Sequence, residues 1–167
     1  MFAFSRQLAV RGRVDGQQAV GFAHGVMNTD NMSVLGLTLD YGPFGFMDDY
    51  DSGFICNHSD HHGRYAFNRQ PYIGVWNLSC LAQALLPLAA KEPLKAALDT
   101  YESTLNDQYT QLMCEKLGFQ KSSPGDGKLV TGLLNLLQAG RVDYTNFFRA
   151  LGRFETGPEA NNESVRD

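Results

Sequence analysis

The sequence predicts an α+β fold that is mostly helical, and two observations lead to this fold class. From Tyr72 onward the sequence predicts four successive helices, and in the first two the apolar residues recur at the three- or four-residue spacing of a helix. Before that point, the run Met32–Leu39 is apolar and partly β-branched, too short for a helix but long enough for a tight pair of strands. We therefore expect a loop-and-strand half followed by a helical half.

The helical half contains four predicted helices with recognisable ends. They cover Tyr72–Leu88, Lys91–Leu117, Leu129–Leu137 and Tyr144–Leu151. Pro87 closes the first helix, Gly118 suits the C-cap of the second, and Asp143 suits the N-cap of the fourth. The first helix is expected to be buried, with Trp76 in the core.

The run Met32–Leu39 is bounded by two oxygen-bearing side chains, Asn31 and Asp40. Gly36 lies in its middle, where a β-turn would fold the run into a short hairpin and bring its two ends together. An amide oxygen and a carboxylate that converge on one point suit Mg²⁺, which keeps several waters and takes further ligands from substrate phosphates. Sites of phosphoryl transfer use this arrangement, in which an Asn and an Asp hold the metal.

The same stretch has the spacing of a protein-kinase catalytic loop, with one change. In the kinase signature an Asn follows the His by seven residues, and His24 and Asn31 are seven residues apart. The general base would then be residue 26, but Val26 cannot accept a proton. The nearest carboxylate is Asp30, so either the site is inactive as a kinase or Asp30 handles the proton in a different geometry. His24 itself is expected to pack and to form hydrogen bonds.

Several longer motifs carry a resemblance to a known family. They are Gly21–Ser33, Asp40–Phe46, Phe54–Asp60, Gly63–Tyr65, Gln70–Pro71, Trp76–Leu78 and Asp143–Arg149. Together they resemble the selenoprotein O family, whose members are pseudokinases that bind ATP in a flipped orientation and transfer AMP to protein hydroxyls. The resemblance implies that Asp30 is the proton acceptor, and that Asn31 and Asp40 bind Mg²⁺, or Mn²⁺, together with ATP.

Composition describes an ordinary globular protein of 167 residues, with 43% hydrophobic and 19% charged residues. The net charge of −4 offers no basic surface for nucleic acid. No apolar run approaches the ~20 residues that cross a bilayer, and Arg6 interrupts the N-terminus too soon for a signal peptide. The three cysteines are widely spaced, which favours free thiols in a reducing compartment. A cytoplasmic protein without nucleic-acid or membrane partners is expected.

The expected organisation is a kinase-like C-lobe with two extensions. Residues 1–18 are expected to be a divergent or truncated segment, because Gly12 and Gly16 make a poor helix where a kinase-like fold has a buried one. Residues 19–154 form the C-lobe, and the polar residues 155–167 are expected to be a disordered tail. No glycine-rich phosphate loop occurs, so we expect the N-lobe to be missing and the surface it would cover to self-associate.

Further residues could take part in a site, and each has a structural alternative. One group, the histidine cluster, consists of His58, Asp60, His61 and His62. It could bind zinc, but adjacent residues rarely converge on one ion, so structural hydrogen bonding is preferred. The acidic cluster Asp48–Asp51 could hold a second cation or be a solvated loop. Arg64 could pair with a phosphate or with a loop carboxylate, and Cys56 could be a redox-sensitive or an inert thiol.

Three functions follow from these features. The leading one is a Mg²⁺-dependent protein adenylyltransferase that modifies Ser, Thr or Tyr hydroxyls with AMP from ATP. The alternative is a catalytically inert fragment that acts as a binding or interaction module, because positioning supplies most of phosphoryl-transfer catalysis and the nucleotide-covering lobe is missing. Ordinary kinase activity is disfavoured by Val26.

Overall fold

The computed structural model describes residues 14–33, 35–37, 39–40, 42–119 and 123–154, and it confirms a mostly helical α+β fold. Its helices are α1 (residues 14–19), α2 (Gln70–Leu85), α3 (Lys91–Asp99), α4 (Tyr101–Lys116), α5 (Asp126–Gly140) and α6 (Tyr144–Leu151). The strands are β1 (Phe22–Ala23) and β2 (Gly45–Phe46), and one-turn 3₁₀ helices cover Thr29–Asn31 and Phe67–Arg69. The predicted tail, residues 155–167, lies outside the described residues. In the described ranges, no helix is long and apolar enough to cross a membrane.

The two strands of the antiparallel sheet flank the apolar run Met32–Leu39, one before it and one after it, and neither lies within it. β1 pairs with β2 so that Phe22 stands opposite Phe46, with their rings 5.2 Å apart. The predicted turn does lie in the run, because the N–H of Gly36 donates to the carbonyl of Ser33 at 3.0 Å. The strand pair is thus displaced from its predicted position to the flanks of the run, where aromatic side chains can pack across the two strands.

Helix α1 corrects the prediction that this part of the chain makes a poor helix. Residues 14–19 are helical, and Val14, Asp15 and Ala19 are each at most 3% exposed. Val14 belongs to a buried cluster with residues of α2 and α4. Gly16 is tolerated because this packing outweighs the low intrinsic helix propensity of the segment.

Helix α2 is buried on one face only, which corrects the prediction of a buried helix. The buried stripe consists of Gln70, Ile73, Gly74, Asn77 and Leu78. Trp76 lies off this stripe and is 40% exposed, so the prediction that it lies in the core is wrong. The guanidinium of Arg64 lies 4.8 Å from the centre of the indole ring, which shields one face of the ring without burying it.

The single helix predicted over Lys91–Leu117 is instead two helices, α3 and α4, separated by Thr100. The Thr100 hydroxyl donates to the carbonyl of Ala97 at 2.9 Å, and such local bonds compete with a continuous helix. Both helices contact α2. Tyr101 reaches the buried cluster because Gly74 leaves room for its hydroxyl group, where any side chain would collide.

The remaining helix ends follow their predicted caps. Gly118 has a φ of 83°, and the amide of the next residue donates to the Cys114 carbonyl at 2.9 Å, which is the Schellman arrangement. The carboxylate of Asp143 accepts from the N–H of Asn146 at 2.7 Å and caps α6. The helix predicted over Leu129–Leu137 is the centre of α5.

The buried core reaches the candidate site at both ends of the loop between β1 and β2. Met27, which follows β1, is 1% exposed and packs in the same cluster as Val14. Met47, which follows β2, lies in a second cluster with Tyr144 of α6. The loop that carries Asp30, Asn31 and Asp40 is therefore attached to the core before and after the candidate residues.

Candidate functional site

The segment that leads from β1 into the candidate site is held by amide side chains from later in the chain. Gln70, fully buried at the start of α2, accepts from the N–H of His24 at 2.8 Å and donates to the Phe22 carbonyl at 3.0 Å. Asn57 donates to the Gly25 carbonyl at 3.1 Å. These bonds satisfy backbone groups that burial would otherwise leave unpaired, and they fix the path of the segment.

Two further side chains complete this support. Asn77 of α2, which is 6% exposed, donates from Nδ2 to the Met27 carbonyl at 2.8 Å. The Cys56 thiol donates to the Ala23 carbonyl at 3.4 Å and fills the space beside Gly25, whose φ is 80°. Burial raises the pKa of the Cys56 thiol, which keeps it protonated and supports the inert-thiol interpretation.

His24 is a packing and hydrogen-bonding residue, as predicted, and it is 3% exposed. Its Nδ1 accepts from the N–H of Val26 at 3.4 Å, which leaves Nε2 protonated to donate to the Leu39 carbonyl at 2.8 Å. Leu39 directly precedes Asp40. The imidazole therefore ties the start of the loop to the backbone that carries the second candidate ligand.

Asn31 and Asp40 meet across the turn, although they are nine residues apart. Nδ2 of Asn31 donates to Oδ2 of Asp40 at 3.2 Å and to the Val26 carbonyl at 3.1 Å. Asp40 has a φ of 53°, in the left-handed region that residues other than glycine seldom occupy and that is enriched at functional sites. The two side chains meet as predicted, but the contact is made by the amide nitrogen of Asn31 and not by the amide oxygen that was expected to converge with the carboxylate. Tyr41 of the Asp-Tyr-Gly motif lies outside the described residues.

The chemistry of these side chains fits a divalent cation. Nδ2 of Asn31 faces a carboxylate and a carbonyl, so its Oδ1 points to the other side of the amide and is left for another partner. Asp40 is exposed, as is Asp30 in the adjacent 3₁₀ helix. Asn31 and Asp40 could hold Mg²⁺ or Mn²⁺ by oxygen atoms, with waters and phosphates as the other ligands.

In the histidine cluster, the structural hydrogen bonds of the side chains are those of Asp60. The Asp60 carboxylate accepts from the N–H of Arg64 at 2.8 Å and from the N–H of Tyr65 at 2.7 Å. Within the described ranges, which include this whole cluster, no three His, Cys, Asp or Glu residues are grouped as a metal site. The guanidinium of Arg64, for which the sequence allows a phosphate or a loop carboxylate as partner, lies over the Trp76 ring.

The acidic cluster Asp48–Asp51 attaches the segment after β2 to α6. The Asp48 carbonyl accepts from the N–H of Tyr144 at 2.7 Å, and the Asp49 carboxylate pairs with Arg141 at 3.3 Å. Both members of this ion pair are exposed, so its contribution to stability is small. Binding of a second cation by this cluster stays a prediction.

Gln70 and Asn77 are the supporting residues that the sequence reasoning missed. They are seven residues apart and lie on the buried stripe of α2 together with Ile73. The sequence did contain a signal for this role. Two polar residues that lie two helical turns apart on an otherwise apolar stripe are expected to be buried, and a buried polar side chain needs a hydrogen-bond partner. The sequence did not indicate that the partner is the backbone of the site loop.

Comparison with known proteins shows the same family along most of the chain. The family model described as protein adenylyltransferase SelO matches residues 11–165. A protein nucleotidyltransferase YdiU from Myxococcus xanthus is 57% identical over 150 residues, covering 90% of this chain and 31% of the relative. Proteins of the same name from Aliivibrio fischeri and Thioalkalivibrio sulfidiphilus are 58% and 60% identical, covering 83% and 82% of this chain and 29% of each relative. The chain spans less than a third of the length of these relatives.

Proposed function

The chain belongs to the SelO family of protein adenylyltransferases, and we propose that it carries the metal–nucleotide site of such an enzyme. In this proposal it transfers AMP from ATP to Ser, Thr or Tyr hydroxyls of proteins. The observation that carries the proposal is the contact between Asn31 and Asp40, which brings an amide and a carboxylate together at an exposed edge of the fold. In this proposal both residues are metal ligands, as the resemblance of their motifs to the family implies.

We assign the roles as follows. Asn31 and Asp40 hold Mg²⁺ or Mn²⁺, which when bound supplies positive charge next to the phosphates of ATP. Asp30 accepts the proton of the acceptor hydroxyl. The hydroxyl oxygen forms a bond to the α-phosphorus, the bond from that phosphorus to the bridging oxygen breaks, and pyrophosphate leaves.

The support around the site suits this chemistry because it fixes positions. His24 bonds the backbone just before Asp40, while Gln70 bonds the backbone of Phe22 and His24, and Asn77 bonds that of Met27, in the segment that leads to Asp30. Positioning of reactants accounts for much of the rate of phosphoryl-transfer enzymes. We also propose that the fold is a protein-kinase-like C-lobe, with α2 as the central helix that holds the catalytic loop.

One observation favours the alternative of an inert binding module. Asp30 and Asp40 are both exposed, and the chain spans less than a third of the length of its relatives. Exposed carboxylates bind a metal–nucleotide complex weakly, because solvent competes for their charges. We therefore expect this chain alone to be much less active than its longer relatives.

Parallel incubations with ATP labelled at the α-phosphate and at the γ-phosphate separate these functions. Transfer of the α-label to protein, lost in Asp40→Asn and retained in Asp107→Asn, supports the adenylyltransferase. Asp107 is an exposed carboxylate on α4 and controls for the loss of charge. Transfer of the γ-label alone would indicate a kinase. Absence of both transfer and Mg²⁺-dependent ATP binding would support the inert module.

A further inference from the structure

Two arginines and two aromatic residues form an exposed surface at the start of α2, the arginine–aromatic surface, which consists of Arg64, Arg69, Tyr72 and Trp76. Arg69, Tyr72 and Trp76 are three and four residues apart, so they share one face of the helix. Tyr72 is 69% exposed and Trp76 is 40% exposed. The loop before α2 adds Arg64, whose guanidinium lies 4.8 Å from the centre of the Trp76 ring. At the other end of the surface, Arg69 donates to the His62 carbonyl at 3.3 Å.

The positive charge of this surface is not neutralised by nearby carboxylates. Neither of its arginines forms an ion pair with any residue that the structure describes. Asp60 is the only acidic residue between positions 52 and 90, and its carboxylate accepts from two backbone N–H groups. The whole chain has a net charge of −4, so the surface is a local region of the opposite sign. A ligand for this surface should therefore be anionic.

The guanidinium of Arg64 is arranged to bind a carboxylate. It lies over two rings, 5.6 Å from the centre of Tyr65 and 4.8 Å from the centre of Trp76. In the described ranges its N–H groups have no hydrogen-bond partner, so they are available to a ligand. A guanidinium that is held by aromatic rings loses less conformational freedom when it binds a carboxylate through two parallel hydrogen bonds.

The composition of the surface favours a protein as the partner. Arginine, tyrosine and tryptophan are the residue types that contribute most to binding energy in protein–protein interfaces. Two arginines are too few to follow the phosphate backbone of a nucleic acid. The proposed site for the nucleotide is at Asn31 and Asp40, so the reactant that still needs a binding surface is the protein substrate.

The elements that carry this surface also hold the segment that leads from β1 into the candidate site. Asn57, in the loop before the surface, donates to the Gly25 carbonyl at 3.1 Å. Asn77, which directly follows Trp76 on α2, donates to the Met27 carbonyl at 2.8 Å. A partner bound to the surface is therefore attached to the same elements that position the site.

We propose that the arginine–aromatic surface binds an acidic segment of a protein substrate. Carboxylates of that segment bond Arg64 and Arg69, and its apolar side chains pack on Tyr72 and Trp76. This inference rests on the proposed adenylyltransferase function, and it adds to that function a preference for substrates in which acidic and apolar residues are close together.

Two fluorescein-labelled peptides test the surface in the absence of ATP. Each has a single serine and no tryptophan. In one peptide glutamates alternate with leucines, and in the other glutamines replace the glutamates. Fluorescence anisotropy should give a Kd at least about 10-fold lower for the acidic peptide, and this difference should shrink as the salt concentration rises. Because Trp76 is the single tryptophan and lies in the surface, an unlabelled acidic peptide should also change the tryptophan emission.

Substitutions of exposed arginines locate the binding. Arg64→Gln and Arg69→Gln should each raise the Kd of the acidic peptide about 5-fold, because each removes a charge-assisted contact. Arg149→Gln is the matched control, since Arg149 is an exposed arginine on α6 outside the surface, and it should leave the Kd unchanged. Equal Kd values for the two peptides, or equal losses in Arg64→Gln and Arg149→Gln, would overturn the proposal.

Other anions are tested in the same assay. ATP and a short single strand of DNA are titrated against the bound acidic peptide. Failure of both to displace it at concentrations near the peptide Kd would support a protein partner. Tighter binding of either one than of the acidic peptide, with the same dependence on Arg64, would assign the surface to a different anion and overturn the proposal.

Transfer of AMP separates this inference from the proposed function. With α-labelled ATP, the acidic peptide should have a KM about 10-fold lower than the glutamine peptide, with little change in kcat. Binding that depends on Arg64 without any transfer would support the surface and favour the inert binding module over the enzyme. Transfer with equal KM for both peptides and no effect of Arg64→Gln would overturn the surface and leave the function standing. Neither transfer nor Arg64-dependent binding would overturn both.

Discussion

We expect the substitution Gln70→Met to destabilise the fold by about 1–4 kcal/mol. The amide of Gln70 is fully buried and bonds two backbone groups, the N–H of His24 and the carbonyl of Phe22. A buried group that loses its partner costs roughly 1–3 kcal/mol, so two such losses amount to about 2–6 kcal/mol. Burial of the apolar methionine side chain offsets roughly 1–2 kcal/mol of this cost.

Urea unfolding measures this change, with the fluorescence of Trp76, the single tryptophan, as the probe. Gln83→Met is the matched control, because Gln83 lies on the same helix with an exposed side chain. The control should stay within about 0.5 kcal/mol of the wild type. If Gln70→Met unfolds at the same urea concentration as Gln83→Met, the two buried bonds do not support the site loop and the reasoning is refuted.

Gln70→Glu adds a pH-dependent test of the same contacts. A carboxylate can accept from His24 but cannot donate to Phe22, and burial raises the folded-state pKa of the introduced carboxyl group above its unfolded value of about 4.3. The protonated form regains the donor. The stability deficit relative to wild type should therefore be small below about pH 4 and should grow as the pH rises through the folded-state pKa. A deficit that does not change with pH would contradict the two-bond geometry.

Three further predictions concern other parts of the molecule. Burial lowers the pKa of Lys116 from 10.5 to about 8 in the folded state. Between pH 8 and 10.5 the unfolded state therefore binds more protons than the folded state. Because of this difference, Lys116 should make the free energy of unfolding rise over that pH range. Lys116→Met should remove that rise in urea titrations, and identical pH profiles for the variant and the wild type would contradict it. Gly25→Ala should cost more stability than Gly118→Ala. Both glycines have φ near 80°, where a residue with a Cβ has a penalty of about 1–2 kcal/mol. Only at Gly25 would the added Cβ also collide with another atom, Cys56 Sγ, at 2.7 Å. Equal losses in urea would refute this difference. Leu88 and Leu136 are 85% and 71% exposed, so gel filtration should show association that increases with concentration, and a monomer at every concentration would exclude it.

The parts of the site that depend on local chain geometry could be predicted from the sequence. Asn31 and Asp40 bound a short apolar run with a glycine at its centre, and a turn within the run brings the two ends together. Gly118 and Asp143 cap their helices for a similar reason, because capping depends on the backbone of a few neighbouring residues.

The parts that depend on tertiary packing could not be predicted. Residues 14–19 are a poor helix by propensity, yet they are helical because their buried face packs on α2 and α4. Tryptophan is a residue type that is expected in the core, but Trp76 lies outside the face of α2 that buries Gln70 and Asn77, and its side chain is exposed. The break at Thr100 lies where side-chain hydroxyl groups bond the helix backbone, and the apolar pattern does not encode these bonds.

Paramagnetic broadening by Mn²⁺ in the presence of ATP tests the central claim most directly, which is that Asn31 and Asp40 hold a divalent cation. In amide proton–nitrogen spectra, the signals of Asn31 and Asp40 should broaden at lower Mn²⁺ concentrations than those of the acidic cluster Asp48–Asp51, and Asp40→Asn should abolish this early broadening. Broadening that begins at the acidic cluster and is unchanged by Asp40→Asn would contradict the claim.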